Sequence, residues 1–465
     1  MHHFNPPHRP HRHRHRRTGL LAIAFATLAV TAAPANAGDV TPDAARMDQI
    51  IRASSDSDAF SGSVLVARDG EILLDQGYGL ANREWNIPNA GDTKFRLASV
   101  TKQFTAVSVL LLSERGLVDV DAPVKTYLPD APATWDAVTV KDLLAHTSGI
   151  PNFTSFEDYA ALATQPTTVT ALIGRFRDLP LDFTPGEQFA YSNSGYVLLT
   201  AIIEKVSGQT YAEFVAANLF QPLGMADTGY DTHAAILPQR ASGYTPTDDG
   251  IVNADYTDMT VPQGAGGLYS TTRDLLKWEQ GLFGATVLKA ESLARLTTPN
   301  LNDYALGLQV RTIDGRRVIS HSGGIQGFNT YLGYDADART TVVVLGNLNG
   351  SAPDKIGADL MSLARGGTVT LPGERQAIAV SGEALAAYAG VYEVTPGFGF
   401  TVVEADGKLT AQATGQQASE LFAESPDAFF LTVVDARIIF SRDAAGAVDG
   451  LVLHQGGHEI PARKK

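Results

Sequence analysis

Cysteine is absent from the 465 residues, so disulfides, thiolate catalysis and lipid attachment at a cysteine are excluded, and an oxidising compartment holds no hazard for the chain. Basic residues are scarce as well: 36 Lys and Arg stand against 50 Asp and Glu. A surface this acidic argues against nucleic acid and anionic membranes as partners. No apolar run is long enough to span a bilayer comfortably. Familiar catalytic signatures are missing too: there is no G-x-S-x-G elbow, H-E-x-x-H pair, phosphate loop or dinucleotide fingerprint. What remains is an ordinary globular composition, 44% hydrophobic and 18% charged, over a length that suggests two or three domains.

The first segment reads as an address rather than as structure. Residues 1–18 hold five arginines and six histidines and no acid. An apolar run at 19–33 (GLLAIAFATLAVTAA) follows, then Ala35-Asn36-Ala37, a small-x-small cleavage pattern. Residues 1–37 are therefore expected to be a signal peptide, with Arg16-Arg17 leaving a twin-arginine route open beside the general one. Without those five arginines, 31 basic residues face 50 acidic ones, a net charge of −19. Export with this composition fits a bacterial periplasm or the outside of the cell, with no membrane anchor after cleavage.

Beyond the leader, residues 63–67 (SVLVA) and 71–76 flank the turn Arg68-Asp69-Gly70, the pattern of a β-hairpin. Residues 100–115, stopped by Gly116, read as a buried helix. Residues 120–300 are helix-rich with frequent Pro and Gly breaks, and strands return from 317 to 345, including 330–334 and 340–345. Strands at both ends with helices between them suggest one antiparallel sheet completed by both termini. Gly366-Gly367 and Pro372-Gly373 mark a composition shift. The expected domains are thus 38–365, a linker at 366–380, and 381–465. In the last of these, strands at 390–394, 400–403, 408–412, 428–433, 438–440 and 451–454 alternate with turns at Asp406-Gly407 and Asp449-Gly450, an all-β pattern.

Three short segments can carry chemistry. Ser99-Val100-Thr101-Lys102 puts a hydroxyl and an amine one helical turn apart. Phe95, Leu97, Phe104 and Val107 would desolvate that amine, and desolvation favours the neutral form that can accept a proton from a hydroxyl. Ser99 would also sit at a helix N-terminus, where free N–H groups favour a developing oxyanion. Tyr191-Ser192-Asn193 opens a further helix: the tyrosine can relay a proton, and the asparagine can donate to a substrate amide or orient the lysine. The plainer alternative is a helix cap beside a core tyrosine. His321-Ser322-Gly323-Gly324 lies on a strand whose small residues let a backbone come close, and the Gly324 N–H can complete an oxyanion hole with that of Ser99. Of the other histidines, His146 reads as structural, and His454 and His458 read as solvated strand and turn residues rather than metal ligands.

In this order and spacing the three segments resemble the class C β-lactamase-related serine hydrolases, which include β-lactamases, D-alanyl-D-alanine carboxypeptidases, D-aminopeptidases and esterases. The likeness extends to FRLASVTKQF at 95–104, LLAHTSGI at 143–150, FAYSNSGY at 189–196, FQPLGMADTG at 220–229 and GGLYSTTRDLL at 266–276, so it spans about 45–350. The C-terminal segment resembles the lipocalin-like barrel appended to some members, through Tyr388-Ala389-Gly390-Val391-Tyr392. The resemblance implies an α/β fold, an antiparallel sheet flanked by helices plus a helical subdomain. It implies Ser99 as nucleophile, Lys102 and Tyr191 sharing the proton, and Asn193, His321, Gly323 and Gly324 around the substrate, with no metal or organic cofactor. Which of Lys102 and Tyr191 is the acylation base stays open. One position departs: His321 stands where β-lactamases of the group carry lysine. The expected activity is hydrolysis of a small amide or ester, such as a D-amino-acid peptide. A weak β-lactamase and a non-catalytic penicillin-binding sensor are the alternatives. The expected partner is a small molecule or short peptide, with the oligomeric state left open.

Overall fold

The computed structural model describes residues 44–465 apart from Asp314, Val433, Val434, Gly456 and Gly457, so the signal peptide expected at 1–37 lies outside the described residues. Six antiparallel strands form the main sheet: β1 Gly62–Arg68, β2 Glu71–Tyr78, β3 Gln309–Ile313, β4 Arg316–Ile325, β5 Phe328–Asp335 and β6 Thr340–Gly346. Their order is β3-β4-β5-β6-β1-β2. The β1–β2 hairpin turns at Asp69 and Gly70, both at positive φ (51° and 85°), the two-residue geometry that matches strand twist. Segments far apart in sequence meet at the centre, where Val64 of β1 pairs with Val344 of β6.

The residues of β6 (TTVVVLG) are all buried, as a continuous apolar run requires when both faces are covered. Val342 and Val344 pack with Met47 and Ile51 of helix α1 (Ala44–Ser55). Val343 and Leu345 point the other way, into the large core that holds helices α2 (Thr101–Glu114), α3 (Asn193–Ser207) and α4 (Thr272–Phe283). A further helix, α5 (Ala352–Ala364), contributes Ile356 and Leu360 to the first face. Helix α2 is buried from Thr101 through Leu112, because it runs between the sheet and the helical subdomain and has apolar neighbours all round. Helix α3 ends at Gly208, whose φ of 70° makes the left-handed cap.

The C-terminal strands close into an eight-membered barrel: β7 Gly390–Thr395, β8 Phe398–Ala405, β9 Lys408–Ala413, β10 Ser419–Ser425, β11 Ala428–Phe430, β12 Ala436–Arg442, β13 Val448–Gln455 and β14 His458–Lys464. Closure comes from Tyr392 of β7 pairing with Lys464 of β14. The sequence pattern misses β10 and β14. The first turns only Leu421 and Ala423 inward, and the second (HEIPARK) is charge-rich and carries a proline. Asp449-Gly450, read above as a turn, lies inside β13 instead. Gly450 pairs with Ser441 beside a bulge, where a Cβ would come 2.8 Å from the Ser441 hydroxyl, so this glycine serves close approach rather than chain reversal. The actual reversal is at 443–447, organised by the Asp443 carboxylate accepting from the N–H groups of Ala445 and Ala447.

The barrel has its own apolar core, centred on Tyr388, Tyr392, Phe429 and Phe440. Phe440 lies 4.7–5.6 Å, ring centre to ring centre, from the other three. Phe440→Ala should therefore cost about 3–5 kcal/mol of barrel stability. Chemical denaturation followed by barrel and active-serine probes checks this: the barrel transition should move to lower denaturant while serine labelling in buffer is retained. Loss of labelling in buffer would mean that the two cores are not separate.

Candidate active site

Residues Ala98–Val100 form a short 3-10 turn that leads straight into α2. Ala98 has a φ of 47°, a left-handed conformation rarely adopted by a residue with a side chain, so the turn presenting Ser99 is strained. The strain is held from outside. Thr330 Oγ1 of β5 donates to the Leu97 carbonyl at 2.8 Å, and Gly323 of β4 lies directly against Leu97 and Ala98. A Cβ on Gly323 would fall on the Leu97 carbonyl oxygen and on Thr330 Oγ1. The small residue of the third motif thus admits the backbone of the Ser99 turn. Pairing of β3 with β4 ends at Ser320, so His321 to Gly324 extend past that neighbour, and Gly324 is exposed.

One helical turn after Ser99, the Lys102 side chain is fully buried. Its Nζ lies 3.0 Å from Ser99 Oγ, 2.8 Å from Asn193 Oδ1 and 2.8 Å from the Ala265 carbonyl. All three partners are uncharged. Burial without an anion pushes the amine well below the usual lysine range. The rings of Tyr191 and Tyr196 lie over the nitrogen, at 4.8 and 5.3 Å, so these two contribute to its desolvation. A neutral amine fits this geometry: two N–H bonds donate to Asn193 and Ala265, and the lone pair faces Ser99.

Asn193 begins α3, and its amide is committed. Its Oδ1 faces Lys102, its Nδ2 donates to Thr154 Oγ1 at 3.0 Å, and its own N–H donates to Asn152 Oδ1 at 3.0 Å. Of the two roles open at the sequence level, orienting the lysine is the one this geometry has. Ser192 occupies the cap position without a side-chain capping bond, its hydroxyl going to the Ile150 carbonyl. Burial raises the pKa of Tyr191 far above that of a free phenol, with the neighbouring Ser99 hydroxyl acting in the opposite sense.

His321 is placed beside this group but turned inward. It is 5% exposed, with Nε2 2.9 Å from Tyr304 Oη and Nδ1 2.6 Å from the Ser322 carbonyl. Burial and the nearby Lys102 push it down to about 3. His146, read as structural, reaches the site as well. Its ring lies 4.2 Å from that of Tyr191, and burial, then Lys102 and His321, hold its pKa well below the ordinary value. Sequence reasoning missed Tyr304, Asn152, Thr154 and the Ala265 carbonyl. Tyr304 lies in no recognisable motif, and a carbonyl is offered by any residue type. His454 lies 3.5 Å from Glu459 on the barrel, and His233 Nε2 meets the Thr257 carbonyl.

A family model described as beta-lactamase matches residues 47–365, and a domain of unknown function, DUF3471, matches residues 374–464. The chain is 29% identical over 445 residues to penicillin-binding protein 4* of Bacillus subtilis (strain 168), covering 87% of this chain and 95% of the relative. Among solved structures, an octameric penicillin-binding protein homologue from Pyrococcus abyssi superposes with a TM-score of 0.67 at 25% identity, over 90% of this chain and 100% of that one. A D-amino acid amidase from Ochrobactrum anthropi SV3, complexed with L-phenylalanine amide, gives 0.62 at 25% identity, over 70% of this chain and 100% of that one.

Two outcomes follow from the geometry. Gly323→Ala should displace the Leu97–Ala98 backbone and lower kcat on the order of a hundredfold while leaving the far-ultraviolet circular dichroism unchanged; wild-type kcat would contradict the packing argument. Stability should also depend on the two buried histidines. Their pKa values lie below the ordinary 6.5, so on acidification the unfolded chain takes up protons first. Their contribution is complete above about pH 6.5 and is lost as pH falls, for His321 down to about 3, at up to about 1.4 kcal/mol per pH unit for each histidine. Urea unfolding between pH 5 and 7.5 should show a shallower pH slope in His321→Gln than in the wild type. Equal slopes would mean that His321 is not held neutral.

Proposed function

The chain belongs to the beta-lactamase family and is a serine hydrolase that works through an acyl-enzyme, and from that premise we propose that Ser99 is the nucleophile and that the substrate is a small amide or ester of a D-amino acid or its peptide. The observation that carries the assignment is the buried Lys102 amine, 3.0 Å from Ser99 Oγ with only neutral partners. Lys102 accepts the Ser99 proton as Oγ bonds to the substrate carbonyl carbon. The N–H groups of Ser99 and Gly324 hold the oxyanion. The bond to the leaving group then breaks, and the proton passes from Lys102 through the Tyr191 hydroxyl to the departing nitrogen or oxygen. Tyr191 suits this donor role because burial keeps its phenol protonated. Water attacks the acyl-enzyme by the reverse route, and Ser99 recovers its proton.

The substrate class rests on His321. A lysine there would present a cation to the carboxylate of a β-lactam, whereas His321 is neutral and spends both ring nitrogens on Tyr304 and Ser322. That favours substrates without a free carboxylate at this point, and the likeness to a D-amino acid amidase supports the same reading. The basic and apolar leader, with its Ala-Asn-Ala site, supports export to the periplasm or beyond the cell.

Incubation with a fluorophosphonate and intact-mass measurement should show one adduct on the wild type and none on Ser99→Ala. kcat/KM should be higher for D-phenylalanine amide or a nitrophenyl ester than for a chromogenic cephalosporin. An adduct on Ser99→Ala would refute the nucleophile, and faster cephalosporin turnover would make the protein a β-lactamase.

A further inference from the structure

The second and third motifs are joined behind the reactive groups by hydrogen bonds that can run in only one direction. The Ser192 N–H can only donate, and it meets His146 Nδ1 at 3.1 Å, so that nitrogen carries the lone pair and His146 Nε2 carries the hydrogen. Nε2 lies 3.2 Å from Tyr304 Oη and donates to it. At the far end, the Ser322 carbonyl can only accept, so His321 Nδ1 carries the hydrogen and Nε2 the lone pair. Tyr304 therefore accepts from His146 and donates to His321 Nε2 at 2.9 Å. The two imidazoles are neutral and hold opposite tautomers. A proton added to His146 would set an N–H against the Ser192 N–H, and one added to His321 would remove the acceptor that the Tyr304 hydroxyl meets at 2.9 Å.

Tyr304 is 1% exposed, and its ring packs edge-on to those of Tyr191 and His321. Its backbone is anchored independently, with the Asn300 N–H donating to its carbonyl and its own N–H donating to Leu301. Facing the two histidines are Lys102 from α2, Tyr191 just before α3 and Tyr196 on α3, together with Tyr304 itself. We propose that Tyr304 is a positioning residue of the acyl-transfer site: its hydroxyl locks the His146–Tyr304–His321 chain in one direction, which sets Tyr191 in register with the His321–Gly324 strand and keeps both imidazoles uncharged. The proposal rests on Ser99, Lys102 and Tyr191 being the reactive groups. It assigns Tyr304 no contact with substrate. Burial and the neighbouring Lys102 act in the same sense, since both disfavour a cation on either ring.

Long-range proton–nitrogen NMR of the imidazoles in the 15N-labelled full-length protein tests the chain, with His146→Gln and His321→Gln supplying the assignments. In the wild type, His146 should be the Nε2–H tautomer and His321 the Nδ1–H tautomer, neither titrating between pH 5 and 9. In Tyr304→Phe, His321 should begin to titrate. The kcat for a nitrophenyl ester should fall on the order of tenfold to a hundredfold with KM within about twofold, and its pH profile should gain a limb between pH 5 and 7.5. Like tautomers, or titration of either ring near pH 6.5 in the wild type, would overturn the proposal even if the variant fails to fold. Wild-type kcat and pH profile in a folded Tyr304→Phe would overturn it too. Fluorophosphonate labelling of Ser99 in the same samples separates the premises: an adduct elsewhere refutes the nucleophile, whereas the tautomers report on the chain alone.

Discussion

An amine removed from water must find an anion or give up its proton, and Lys102 has no anion beside it among the described residues. Its three neighbours within hydrogen-bond reach are a hydroxyl, an amide oxygen and a peptide carbonyl. Leaving an ammonium there uncompensated would cost several kcal/mol, so the fold favours the free base. The rest of the site follows from that constraint. Asn193 must present its oxygen to Lys102, and it is held that way by Thr154 and Asn152. Ala265 must bring a carbonyl against α2, and the neighbouring Gly264 makes that approach possible, since a Cβ there would come 2.6 Å from the Thr200 hydroxyl.

The same logic extends to the histidines and the tyrosines. A second cation near Lys102 would compete with it for the few polar contacts available in a dry interior, and neither His146 nor His321 is allowed to become one. Tyr191 is held as a neutral phenol by burial. In the proposed mechanism the reactive groups therefore meet the substrate without net charge, and charge first develops on the oxyanion and on Lys102 during acylation. Fixed donors at the start of α2 and on β4 act on charge that appears only then, which is where preorganised dipoles are most effective. The strained Ala98, pinned by Thr330 and by the absence of a side chain at Gly323, keeps those donors and Ser99 in one geometry.

What could be read in the sequence and what could not divide along a physical line. Ser99 and Lys102 are legible because their relation is local, one turn of one helix. Tyr191 and Asn193 are legible because they open a helix with a clear apolar period and a glycine stop. The β1–β2 hairpin and the fully apolar β6 declare themselves by turn chemistry and by run length. Tyr304 does not, because its role arises from tertiary contact with two histidines on different elements. Nor does Ala265, whose contribution is a carbonyl shared by every residue type. His146 looked structural because it lies in the loop 143–150, outside the three chemistry-bearing segments, yet its ring packs on Tyr191. In the barrel, β14 escaped notice because Pro461 and four charged or ionisable side chains hide a strand whose only task is to close the circle.

The neutrality of Lys102 is the claim on which the mechanism stands, and it can be read without substrate. Nitrogen-15 NMR of the lysine side-chain amines, with Lys102→Arg supplying the assignment, follows each Nζ through its titration. One resonance, that of Lys102, should titrate well below the surface lysines at about 10.4. Lys102 titrating together with the surface lysines would mean that an ammonium is tolerated in that pocket, and the proton would have to leave Ser99 by another route.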